Sequence, residues 1–145
     1  MAKYVVTGVA GFIGSNLADA LLLEGHQVVG IDNFSTGKVE FIEKAQKNPN
    51  FQFFKRDLFE STSFDGLPIG HFDLLFHLSA NADVRFGLEH PRRDLEQNTI
   101  VTSNVLEAVR KFKISGVAFS STGSVYGEAS VIPTPENAPF PAIRG

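Results

Sequence analysis

Thr7-Gly8-Val9-Ala10-Gly11-Phe12-Ile13-Gly14 follows directly on the apolar run Tyr4-Val5-Val6 and leads into a helical pattern. Glycines three residues apart, between a buried strand and a helix, make a phosphate cradle. Gly8 permits the tight turn, Gly11 lets the backbone approach a diphosphate, and Gly14 lets the helix pack close to the strand. The helix N-terminus offers unpaired N–H groups and the positive end of a dipole to an anion. A glycine pattern alone is a weak signal, and here the context strengthens it. Asp32 closes the next apolar run, Gln27-Val28-Val29-Gly30-Ile31, and lies 24 residues beyond Gly8. That is the span at which an acid accepts hydrogen bonds from an adenosine ribose. The stretch reads as a dinucleotide site; the bland alternative is an ordinary strand–turn–helix corner.

Outward from this turn, short apolar β-rich runs alternate with helical stretches, the signature of a parallel sheet flanked by helices. Strands are expected over residues 3–7, 27–32, 51–55, 73–78 and 117–120. A first helix over 12–24 places Ile13, Leu17, Ala20 and Leu21 on one face and stops at Gly25. Residues 40–47 read as a helix ended by Asn48-Pro49, and 57–71 as short helix and loop. A long helix over 94–112 turns Val101, Val105, Val109 and Phe112 inward. The fold class is therefore α/β, a Rossmann-type doubly wound parallel sheet of about five strands in order 3-2-1-4-5, with ligand at the strand C-terminal ends. Four of the seven prolines fall between Pro133 and Pro141, so 128–145 reads as an irregular Pro-rich tail.

Composition narrows the function classes. The 145 residues, 43% hydrophobic and 20% charged, suit one globular domain. A net charge of −3 without a long basic run speaks against nucleic acid as a partner. There is no cysteine, hence no disulfide framework and no thiolate chemistry. No apolar run approaches a membrane span, and Met1-Ala2-Lys3 enters a strand at once, so the expected setting is the cytoplasm. His26, His71, His77 and His90 lack metal-ligand spacing, and no metal is expected. Ser120, Ser121 and Thr122 lack a G-x-S-x-G elbow and read, on their own, as polar strand-end residues. Asp57 has a bland alternative as a helix N-cap.

Several separated motifs, taken together, carry a resemblance. They are the glycine turn, Asp32-Asn33-Phe34-Ser35-Thr36-Gly37, Arg56-Asp57-Leu58, His77 through Val84, Asn98, and Phe119 through Gly127. Their order and spacing resemble the extended short-chain dehydrogenase/reductases, specifically the NAD-dependent nucleotide-sugar epimerases and dehydratases. The resemblance implies a role for each. Gly8, Gly11, Phe12, Ile13 and Gly14 would form the diphosphate turn. Asp32 would take the ribose hydroxyls, with Asn33, Phe34, Ser35, Thr36 and Gly37 around the adenosine. A carboxylate at this position, with no Arg after it, favours NAD over NADP. Asp57 and Leu58 would bracket the adenine. Leu78, Ser79, Ala80, Asn81 and Ala82 would run beside the second phosphate and nicotinamide ribose, and Asn98 would hold the cofactor. Thr122 matches the catalytic Ser/Thr that hydrogen-bonds the sugar hydroxyl being oxidised.

The family chemistry also uses a Tyr-x-x-x-Lys helix, in which the lysine charge lowers the tyrosine pKa. Tyr4 is followed four residues on by Gly8 and Tyr126 by Ser130, so neither has the lysine. The expectation is an incomplete NAD-binding domain, inactive by itself, taken from a UDP-glucose/UDP-galactose 4-epimerase. Alternatives are a nucleotide-sugar 4,6-dehydratase or UDP-glucuronate decarboxylase, and, from another class, a non-catalytic dinucleotide-binding module. The expected partner is a nucleotide-sugar substrate in the intact enzyme; strand five is an open edge, and a homodimer is one arrangement left open.

Overall fold

A computed structural model describes residues 1–81, 89–128 and 131–139. Five strands form one sheet: β1 Lys3–Thr7, β2 Gln27–Asp32, β3 Phe51–Lys55, β4 Leu74–His77 and β5 Val117–Phe119. They are parallel and ordered β3-β2-β1-β4-β5, as the alternating pattern predicts. The connections reverse direction between β1 and β4, so the crevice opens beyond the C-terminal ends of those strands. There the register sets Thr7 between Ile31 and His77.

Both faces of the sheet are covered, which is why its strands read as nearly unbroken apolar runs. Side chains alternate across the pleat. Val5, Val29 and Leu75 pack with Val101, Val105 and Ala108 of the long helix. Their chain neighbours Val6 and Val28 pack with Ala18, Leu22, Ile42 and Ala45 on the other side. Val109 and Phe112 lie against the first cluster, half-buried.

The first helix, α1, spans Phe12–Leu23 and differs from expectation in its rotation. Its buried residues are Gly14, Ser15, Ala18 and Leu22; Ile13 and Ala20 are exposed and Leu17 and Leu21 half-buried. The cause is the turn. Gly8 has φ +68°, and a Cβ on Gly14 would overlap the Gly8 carbonyl oxygen. Contact at that distance turns the small residues of α1 toward the strands and rolls Ile13 outward.

Two other helices depart from expectation. Residues 40–47 divide into a 3-10 turn, Val39–Phe41, and a short α-helix, Glu43–Gln46, with fully buried Ile42 at the junction. The long helix begins earlier, with Pro91–Asp94, passes through a π-helical stretch at Leu95–Ile100, and continues as Val101–Lys111. Pro91 at the first helical positions explains the early start, since its missing N–H costs nothing there. Residues 131–139 carry neither helix nor strand.

Replacing Gly14 with Ala separates helix propensity from close packing. Propensity favours Ala by about 1 kcal/mol, whereas overfilling a tight contact costs about 1–3 kcal/mol or more. The obstacle is a backbone carbonyl that cannot swing aside. Gly14→Ala is therefore expected to lower stability by about 2 kcal/mol in urea unfolding; a variant as stable as the parent would refute the close contact.

Candidate functional site

The strand ends and the turn after β1 enclose a cleft whose narrower end is built around Asp32. Gly8, Gly11, Asn33, Ser35, Thr36, Gly37, Asp57 and Leu58 line it with Asp32, and Leu78, Ser79 and Ala80 close it from the β4 side. Asp32 is the last residue of β2 and 9% exposed. Its Oδ2 accepts the Ala10 N–H at 3.0 Å and its Oδ1 the Phe34 N–H at 2.8 Å. Each carboxylate oxygen keeps a further lone pair for a ligand hydroxyl. Asp57 accepts the Asn33 side-chain amide at 3.3 Å and the Phe59 N–H at 3.0 Å. It therefore closes a turn rather than capping a helix, since no helix follows it, and it lines the cleft.

The wider end lies between β4, β5 and the long helix. Ile13, Leu78, Ser79, Ala80, Asn81, Asn98 and Thr122 line it. Asn98 Oδ1 accepts the Asn81 N–H at 2.8 Å, tying the loop after β4 to the helix. Leu78, Ser79 and Ala80 belong to both ends and make the cleft continuous.

The N-terminus of α1 adjoins the cleft. Its first helical bond runs from the Ser15 N–H to the Gly11 carbonyl at 3.0 Å. The N–H groups of Phe12, Ile13 and Gly14 thus lack an intrahelical acceptor, and no side chain caps them. Uncapped amides at a dipole's positive end, a turn whose glycine leaves no room for a Cβ, and a fixed carboxylate at strand-to-strand distance suit a diphosphate joined to a ribose. The residues present fit a dinucleotide.

Three sequence-derived candidates lie outside the cleft lining. Gly14 sits behind the turn against Gly8. Phe12 is 76% exposed at the helix start. Phe34, at φ +61°, stacks at a tilt on Phe53 with ring centroids 5.2 Å apart. Ala82 lies outside the described residues.

Other lining residues had no role from sequence. Arg56, Gln97 and Val101 join the narrow end, and His77, Asp94, Thr102, Phe119, Ser120 and Ser121 the wide one. A signal existed for the helical set. Asp94, Asn98 and Thr102 recur every fourth residue, a polar stripe beside the apolar Val101 and Val105. His77 is 5% exposed, with Nδ1 2.8 Å from Thr7 Oγ1 and Nε2 3.1 Å from Thr102 Oγ1. Burial pushes its pKa below the usual imidazole value. Among the described residues, no group of three or more His, Cys, Asp or Glu is arranged to hold a metal. No helix among them is long and apolar enough to cross a membrane.

The model of the NAD dependent epimerase/dehydratase family matches residues 4–145. UDP-glucose 4-epimerase of Mycolicibacterium smegmatis is 38% identical over 138 residues, which are 94% of this chain and 44% of that protein. UDP-glucuronic acid decarboxylase 1 of Danio rerio is 32% identical over 135 residues, 93% of this chain and 31% of that protein. The crystal structure of Thermus thermophilus UDP-glucose 4-epimerase in complex with NAD superimposes with a TM-score of 0.75. It shares 33% identity, over 92% of this chain and 43% of that one. The chain thus spans less than half the length of these relatives.

The buried imidazole has a consequence for stability. Below its ordinary pKa the unfolded chain binds a proton that the folded chain resists, so stability falls as pH drops below about 6.5 and levels off beneath the folded-state pKa. Above that range His77 contributes no slope. Urea midpoints taken at about pH 7.5 and about pH 5.5 should fall less in His77→Gln than in the parent; equal losses would remove His77 as a source.

Proposed function

The chain belongs to the NAD dependent epimerase/dehydratase family, and on that premise we propose that it is the NAD-binding portion of a nucleotide-sugar 4-epimerase acting on UDP-glucose and UDP-galactose through a 4-keto sugar. The observation that carries the reading is the continuous cleft. It joins a carboxylate fixed by two amides, an uncapped helix terminus and the Thr122 end of the β5 loop.

When bound, NAD supplies the oxidising and reducing power of the reaction. The chain's own residues do the rest. Asp32 accepts the adenosine ribose hydroxyls, the amides at the start of α1 hold the diphosphate, and Asp57 and Leu58 flank the adenine. The loop Leu78–Asn81 lies along the nicotinamide half. Thr122 hydrogen-bonds the sugar C4 hydroxyl and orients it. Neither Tyr4 nor Tyr126 has a lysine four residues later, so neither matches the tyrosine–lysine pair that removes this proton in the family's chemistry.

Cofactor choice is a contest between two charges in the narrow end. Asp32 is buried and held by two amides, while Arg56 is exposed and screened by solvent. The fixed carboxylate dominates and disfavours a 2′-phosphate. A second reading, a dehydratase or UDP-glucuronate decarboxylase, draws on the likeness to the Danio rerio decarboxylase. Dehydratases of the family need acidic groups after the Ser/Thr, where this chain has Gly123-Ser124, which favours the epimerase.

Calorimetric titration of the chain is expected to show NAD binding at least tenfold tighter than NADP, the factor of about 1.4 kcal/mol; equal affinity, or preference for NADP, removes the role given to Asp32. The whole protein should interconvert UDP-glucose and UDP-galactose, whereas residues 1–145 alone should bind cofactor without turnover. Accumulation of a 4-keto-6-deoxy sugar would replace the epimerase with the dehydratase.

A further inference from the structure

The loop Leu78–Asn81 is fastened at both ends, and the two fastenings meet at one imidazole. The Thr102 hydroxyl donates to the Asn98 carbonyl at 2.6 Å, which commits its one hydrogen. Toward His77 Nε2, 3.1 Å away, Thr102 Oγ1 must therefore accept, so Nε2 carries the proton. In a neutral ring Nδ1 is then the acceptor, and the Thr7 hydroxyl, 2.8 Å away, donates to it. Thr7 Oγ1 in turn accepts the Leu78 N–H at 3.2 Å. At the loop's far end Asn98 Oδ1 accepts the Asn81 N–H. Every hydrogen in this chain has one direction. Moving the ring proton to Nδ1 would turn the Thr7 hydroxyl from donor to acceptor and would strip Nε2 of the hydrogen it gives to Thr102.

We propose that His77, as its neutral Nε2–H tautomer, is a positioning residue that holds the wall shared by both ends of the cleft in the spacing its ligand requires. It acts through Thr7 and Thr102 rather than through chemistry of its own. The inference rests on the dinucleotide reading of the cleft.

Nitrogen-15 NMR of the ring in the full chain at neutral pH is expected to show Nε2 protonated and Nδ1 bare; a ring protonated at Nδ1 overturns the proposal. Thr102→Val removes the acceptor of the Nε2 hydrogen. It should move the ring proton to Nδ1 and weaken NAD binding about tenfold, with Thr102→Ser, which keeps the hydroxyl, restoring both. If Thr102→Val binds NAD as tightly as the parent, the positioning role fails alone. If the parent chain binds no NAD, the dinucleotide reading fails and takes this role with it.

Discussion

The approach of Gly14 to the Gly8 carbonyl governs how the cleft end of the domain is put together. One additional carbon at Gly14 would push α1 away from the turn. With that contact made, α1 has one allowed rotation, in which Ser15, Ala18 and Leu22 face the strands. The same rotation leaves the first amides of the helix uncapped and directed to where the strands end. Gly8 also passes so close to β4 that a Cβ there would lie 2.9 Å from the Leu78 and Ser79 backbone. The turn is therefore gauged against the helix on one side and the β4 loop on the other.

From this fixed corner the site is assembled by main chain more than by side chains. Asp32 is aimed by the amides of Ala10 and Phe34. Leu58 is steadied because the Asn104 side chain donates to the carbonyls of Leu58 and Phe59, at 2.9 and 3.0 Å. Such groups lose little freedom when a ligand arrives, because folding has already ordered them. The exposed ion pairs, Lys44–Asp19, Lys111–Asp65 and Arg110–Glu107, lie on residues that do not line the cleft and add little to it.

Strand order, the glycine turn after β1 and the acid at the end of β2 were legible in sequence because each depends on local pattern. Apolar runs, glycine spacing and the position of Asp32 all lie within a few residues of one another or at a set interval. The face of α1 was not legible, since the Gly8–Gly14 contact, rather than side-chain hydrophobicity, chooses it; counting apolar residues selected Ile13 and Ala20, which solvent reaches. The connection of His77 to Thr7 and Thr102 joins residues 70 and 25 positions apart, and periodicity carries no trace of it. Arg56 stands in a recognisable motif, yet only the parallel pairing of β3 with β2 brings it beside Asp32.

The wall formed by Leu78, Ser79 and Ala80 serves two compartments at once. Thr7 and Asn98 already tie its two ends, so a small molecule filling either compartment meets a wall that folding has ordered in advance. Mononucleotide fragments of a dinucleotide should accordingly bind independently, neither raising affinity for its counterpart.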